Sequence, residues 1–149
     1  MHQLVVFALD DGAYALRLAT VEQVVRMVSV TPLPKAPAIV LGVVNVRGRI
    51  IPVFDVRRRF QQPAREIAVT DQLIIARTAR RAVALAADTV IGIHEYPDAT
   101  VVEAERVLPG LEYVEGVVKL ADGLVLIHDL EQFLSLDEEE SLQRALPAA

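Results

Sequence analysis

The chain has 149 residues, 53% of them hydrophobic, a formal net charge of −5 and no cysteine. The missing cysteine excludes disulfides, thiol catalysis and cysteine-based zinc sites, and the acidic balance argues against nucleic acid as a general partner. No apolar run approaches the roughly 18 residues a spanning helix needs and the one after Met1 is too short for a signal peptide, so a soluble cytoplasmic protein is expected, with a mean hydropathy of +0.38 that points to apolar surface held for a partner.

Short β-branched runs recur along the chain and predict strands at Leu4–Leu9 and Tyr14–Leu18. Val21, Val24, Val25 and Val28 then fall at i, i+3, i+4 and i+7, which predicts a short helix or helical turn ahead of a strand at Arg26–Val30. Strands follow at Gly42–Val46 and Arg49–Phe54, with Gly48 supplying the turn between them. Pro52 cannot donate to a ladder, so its strand is expected at a sheet edge or at a bulge. Further strands are predicted at Gln72–Arg77, Ala82–Ala86, Val90–Glu95, Glu115–Leu120 and Leu124–His128, the last two joined by a turn at Asp122-Gly123. At the end, Ser135 and Glu138 form a capping box ahead of a helix through Glu139–Leu146. The acidic run Asp137–Glu140 then falls in its first turn, where the helix dipole favours negative charge.

The chain also repeats itself. Slid by 69 residues, Ala13–Val21 lies over Ala82–Val90; slid by 74, Gly42–Phe60 lies over Gly116–Leu134 without a gap. Gly42-Val-Val meets Gly116-Val-Val and Asp55 meets Asp129, each aspartate placed to cap a short helical turn. Two quasi-equivalent small β-barrels, side by side, fit this pattern. Where the copies agree, folding explains the residues. At the hairpin tip they differ: Asn45-Val-Arg47-Gly48 stands over Lys119-Leu-Ala121-Asp122. Arg47 is therefore not demanded by the hairpin and is a candidate for contact.

The set Gly12-x-Tyr14-x-Leu16, Val21-Glu-Gln-Val24, Thr31-Pro-Leu-Pro34 and the block from Gly42 to Asp55 containing Asn45-x-Arg47-Gly48 resembles the CheW family of bacterial chemotaxis coupling proteins. Val83–Ile93, Gly116–Leu120 and Gly123–Leu130 continue the likeness, which runs from about residue 3 to 146. The resemblance implies a mainly β fold of two pseudo-symmetric SH3-like five-stranded β-barrels sharing a core, with a short C-terminal helix. A single domain is expected over 1–149, with halves at about 12–66 and 67–134, the second able to recruit the N-terminal strand 3–9, and the helix over 135–146. It further implies a non-enzymatic adaptor, without cofactor or metal, joining chemoreceptor cytoplasmic tips to the regulatory domain of a CheA-type histidine kinase. Its place would be the cytoplasm at membrane-associated receptor arrays, with no direct membrane insertion. The partner-binding residues implied are Val21, Gly42, Asn45, Arg47 and Gly48. Three positions depart from the family pattern: Val46 replaces a leucine, Glu22 is displaced with Gln23 neutral, and His128 stands where an aliphatic residue is frequent.

Other readings have less support in the residues. Arg47, Arg49 and Arg57–Arg59 place five arginines within thirteen residues, but an acidic chain with no tryptophan lacks the aromatic platforms of a nucleic-acid binder; a solvated or partner-facing patch is expected instead. His94-Glu95 and His128-Asp129 could supply a two-histidine metal site, though separate histidines are commoner. Ser29, Ser135 and Ser141 have no adjacent histidine, and no glycine-rich phosphate loop is present. The runner-up is a scaffold of the same type in a non-flagellar pathway such as twitching motility, with a histidine-metal enzyme a distant third.

Overall fold

Successive residues of a strand point to opposite faces, and several strands here are apolar on both. The computed structural model describes residues 1–10, 12–107 and 113–147. Its strands are β1 (His2–Leu9), β2 (Gly12–Arg17), β3 (Val21–Arg26), β4 (Val40–Val46), β5 (Arg49–Phe54), β6 (Gln72–Arg77), β7 (Ala82–Ala87), β8 (Thr89–Tyr96), β9 (Val101–Glu103), β10 (Val114–Leu120) and β11 (Gly123–His128). Helices are short: α1 (Val56–Arg59), α2 (Ala104–Val107) and the longer α3 (Leu136–Ala145).

Two sheets form, with strand orders β8-β1-β2-β11-β10-β9 and β3-β6-β7-β5-β4. The orders correspond strand for strand. Each has an antiparallel hairpin at its centre (β1–β2 or β6–β7) lying parallel to the second strand of another (β11 or β5). The second sheet lacks a counterpart of β9 as a named strand, but Thr31 pairs with Val43 in an isolated bridge that closes it in the same place. This is the pseudo-symmetry of two SH3-like barrels, with six and five strands.

The contiguous halves 12–66 and 67–134 do not correspond to the two sheets. β2 lies with β1 and β8 to β11, whereas β6 and β7 lie with β3 to β5. The exchange is reciprocal: after β2 the chain crosses to pair β3 with β6, and after β7 it crosses back to pair β8 with β1. The central hairpins thus gain an apolar environment on both sides. In β6, Leu73 and Ile75 face the core of the five-stranded barrel, while Ile74 and Ala76 face a core shared by the barrels. In β2, Ala15 faces the core of the six-stranded barrel, while Tyr14 and Leu16 face the shared one. Burying a side chain of this size contributes about 1.5–3 kcal/mol, so the shared layer makes the barrels one folding unit.

The C-terminal helix closes that layer. Its capping box forms as expected, with the Ser135 hydroxyl accepting from the Glu138 amide and the Glu138 carboxylate from the Ser135 amide. Leu142 is fully buried in the shared core, and Arg59 and Arg81 tie the helix down through Glu138 and Glu139. Asp55 and Asp129 also cap the turns that follow β5 and β11.

Three local expectations are corrected. Val21–Arg26 is a strand with alternating burial, and the helical turn lies one step earlier, at Leu18–Thr20. The spacing of Val21, Val24, Val25 and Val28 reflects valines on both faces of a strand. The β10–β11 loop is Ala121-Asp122, because Gly123 already pairs with Leu120; none of these three residues has a positive φ. Pro52 lies in an inner strand, between β7 and β4. Its partner Val43 directs both backbone groups to Thr31, so the Pro52 nitrogen faces away from β4, and pairing with β7 begins only at Val53. No ladder bond is lost there.

Candidate functional site

The β4–β5 register pairs Val46 with Arg49 and leaves Arg47-Gly48 as a two-residue loop. Both residues have positive φ, 52° and 83°, as a type I′ hairpin requires. Asn45 closes the turn, its Oδ1 accepting from the Gly48 N–H at 2.8 Å. Asn45 and Gly48 therefore build the tip. Arg47 is a different matter. A side chain in the left-handed region costs about 1–2 kcal/mol, and asparagine or glycine would fill the position better. Arg47 is exposed and makes no ion pair among the described residues.

Beside the tip, Arg49 Nη1 donates to Glu22 Oε2 at 2.9 Å, and Arg77 Nη1 lies 3.9 Å from Glu22 Oε1. The Arg49 bond holds the Glu22 carboxyl below its usual range. This contact brings the start of β3, with Val21, next to the β4–β5 tip. Val21 is half-buried and packs on the shared core, as does its repeat mate Val90.

Gly42 stands apart from these four. It is buried, with φ +154°, and a Cβ there would lie 2.3 Å from the Thr31 carbonyl oxygen. It is the point at which the Thr31 segment crosses β4 to close the barrel. Its repeat mate Gly116 lies under Val102 of β9 in the corresponding way.

Several apolar residues that the sequence did not mark as surface are exposed. Val24 is 38% exposed on the outer face of β3, and its mate under the 69-residue shift, Ile93, is 62% exposed on β8. Ile50 and its mate under the 74-residue shift, Leu124, are exposed to 48% and 47% at the two hairpins. The Gln72 side chain, on the residue paired with Arg26, accepts from the Val90 amide and so joins the end of β3 to the start of β8. The seam between the barrels is thus flanked by apolar residues from both. A period-two reading of Glu22, Val24, Arg26 and Val28 would have found this outer face.

The arginine run is not one patch. Arg57 is buried and paired with Asp10 and Asp88, Arg59 is paired with Glu138 and lies over the Tyr113 ring, and of the three consecutive arginines only Arg58 is exposed, as Arg47 and Arg49 are at the distant hairpin. The two histidines are separated as well. His94 is exposed on β8, His128 is buried on β11, and β1 and β2 stand between those strands. Among the described residues, no group of three or more metal-ligating side chains converges, and no helix is long and apolar enough to cross a membrane.

The family model of the CheW-like domain matches residues 3–138. The chain belongs to the CheW-like family. It is 27% identical to the chemotaxis protein CheW of Rhizobium meliloti over 141 residues, covering 93% of this chain and 91% of that one. It is 29% identical to the chemotaxis protein CheW of Bacillus subtilis over 155 residues, covering 97% and 92%. The crystal structure of the scaffolding protein TtCheW from Thermoanaerobacter tengcongensis superposes with a TM-score of 0.83 at 28% identity, over 92% of this chain and 94% of that one. The double-barrel architecture is therefore that of CheW-like proteins.

Proposed function

We propose that the chain is a non-enzymatic adaptor that couples chemoreceptor cytoplasmic tips to the regulatory domain of a CheA-type histidine kinase, at membrane-associated receptor arrays in the cytoplasm. The observation that carries this reading is the likeness, over nearly the full length of both chains, to a protein described as a scaffold. The surface fits the role. A receptor tip is a helical hairpin, and an amphipathic helix edge can bury the apolar residues that flank the seam. Each such residue contributes up to about 1.5–3 kcal/mol when fully buried, so a few give micromolar coupling. Arg47, held out on a strained turn, would fix register by a bidentate contact to a partner carboxylate. Asn45 and Gly48 shape that turn, Val21 borders it, and Gly42 acts through the closure that sets its frame.

Calorimetric titration with the kinase regulatory domain of the same organism tests this. Saturable one-to-one binding, weakened at least tenfold by Arg47→Glu with the fold intact, is the expected result. Absence of binding between two folded proteins would overturn the assignment and turn the search toward the kinase of another pathway.

A further inference from the structure

His128 lies inside a box of four aromatic rings. The centroids of Phe60, Tyr14, Phe7 and Phe133 are 4.6, 5.6, 5.7 and 6.0 Å from its own. Its side chain is buried, and neither Nδ1 nor Nε2 has a hydrogen-bond partner among the described residues. A neutral imidazole leaves one donor and one acceptor unpaired there; an imidazolium would have two donors and a charge with nothing to receive them, a far larger cost.

The four rings are not equally fixed. Phe7 and Tyr14 belong to the central hairpin of a sheet, and Phe133 is fully buried, stacked on Phe54 and lying under Arg59. Phe60, the nearest, is partly exposed and begins a segment, residues 60–71, with no regular structure. That segment is fastened at few points. Gln62 donates its side chain to the Tyr14 hydroxyl and its amide to the Arg57 carbonyl, Arg65 pairs with Asp88, and the Asp71 carbonyl accepts from the Met27 amide, whereas the Arg65–Asp71 pair and the Ala68–Asp71 bond lie within the segment itself. Val69 is almost fully exposed, and open clefts lie at Gln62–Arg65 and at Ile67–Val69. Few buried contacts and a backbone outside the sheets mark a unit that opens at low cost.

We propose that residues 60–71 form an acid-opened strap over His128: proton uptake by the imidazole drives Phe60 off the ring and releases the segment from the body of the protein. This goes beyond the adaptor reading and is independent of it. Among the described residues, the other titratable and charged groups around the box do not replace the missing partner. Tyr14 from β2 is engaged with Gln62, and Tyr113 ahead of β10 with Arg59. Arg57 and Arg59 from α1 are cations and oppose a second positive charge. Asp10 after β1 is engaged with Arg57, Glu138 of α3 with Arg59, and Asp129 with the Gln132 amide. Burial alone pushes the His128 pKa down, to about 3. Asp88 is opposed by its own burial, yet its bonds from Arg57, the Asp10 amide and Arg65 hold its carboxyl below the usual value. Protonation of Asp88 is therefore not what frees the strap in the range in which an exposed imidazole titrates.

Hydrogen-exchange mass spectrometry on the full chain at pH 7.5, 5.5 and 5.0, corrected for intrinsic exchange, reads the opening directly. If the ring titrates near 6.5 when uncovered, peptides spanning 56–71 should open about 10-fold more at pH 5.5 and about 30-fold more at pH 5.0 than at pH 7.5. Peptides from β1 and β6, whose amides are released only by global unfolding, should stay far more protected than 56–71 at every pH, and His128→Leu should abolish the acid response of 56–71. No acceleration, an equal acceleration in His128→Leu, or protection of 56–71 as high as that of β1 and β6 would overturn the strap. Should His128→Leu fail to fold, the wild-type ring titration by carbon-13 NMR decides. A folded-state midpoint of 5 or above overturns the proposal, and one below 5 upholds it when 56–71 also opens ahead of β1 and β6 as the pH falls.

Discussion

Phe54 and His128 occupy the same position of the pseudo-symmetric fold. The shift of 74 residues that superposes the repeats carries one onto the other. Both end the second strand of a hairpin beside a parallel neighbour, Phe54 opposite Leu85, and His128 one residue past the Ile127–Ala15 pair. Phe133 stacks on both, at 5.0 Å and 6.0 Å with planes within 11° and 16°. The first copy fills this shared site with hydrocarbon; the second fills it with a group that can take a proton.

That difference makes overall stability depend on acid. The folded pKa of His128, about 3, is below the value near 6.5 of an unfolded chain. Above pH 6.5 both states are neutral and no stability is lost. As pH falls below 6.5 the unfolded state binds the proton first, and stability falls until about pH 3. At pH 5 the loss is about 2 kcal/mol. Urea melts followed by far-ultraviolet circular dichroism should show this loss in the wild type but not in His128→Leu, so the difference between the two curves is the measurement. Parallel curves would mean that His128 finds a partner in the native state.

Gly42 and Gly48 are six residues apart and meet opposite demands. A Cβ at Gly42 would collide with the Thr31 carbonyl, whereas one at Gly48 meets nothing within 4 Å. Gly48→Ala should therefore cost only the left-handed conformation, about 1–2 kcal/mol. Gly42→Ala must move the Thr31 strand or break its two bonds to Val43 as well, and should cost about 3 kcal/mol or more. Similar melting temperatures for the two variants would show that the barrel is not closed tightly at Thr31.

Strand existence was legible because β1, β2, β6 and β7 are buried on both faces and read as apolar runs. The caps were legible because Asp55, Asp129 and Ser135 act on amides within three residues. Sheet membership was not, since β3 and β8 could pair with either central hairpin and nothing local in Val21–Arg26 states that it pairs with Gln72–Arg77. In the site, the mismatch between repeats drew attention to Arg47, while its positive φ needed the register. The outer face of β3 was hidden by valines on both sides, which mimic a helical spacing.

Arg47→Asn separates the turn from the contact. Asparagine tolerates the left-handed conformation, so the variant should be as stable as the wild type or more so, by up to about 1 kcal/mol. Its affinity for the kinase domain or the receptor tip should fall, because the guanidinium is gone. Thermal melts and calorimetric titration on one preparation give both numbers. Lower stability would show that the Arg47 side chain supports the hairpin after all.

Val24→Asp and Val25→Asp differ by one residue and should behave as opposites. Val25 packs against the core of the five-stranded barrel, and an unpaired carboxylate there would unfold the protein or cost several kcal/mol, on the order of 3 or more. Val24 points outward from β3, beside Glu22 and Arg26 on the same face, and an aspartate there stays hydrated. Its cost should be within about 1 kcal/mol. If the seam flanked by β3 and β8 receives a receptor helix, Val24→Asp should nevertheless weaken binding to a soluble receptor fragment about tenfold, through loss of apolar burial worth roughly 1.5 kcal/mol. Full binding by a folded Val24→Asp protein would place the receptor contact elsewhere, and loss of fold would return Val24 to the core.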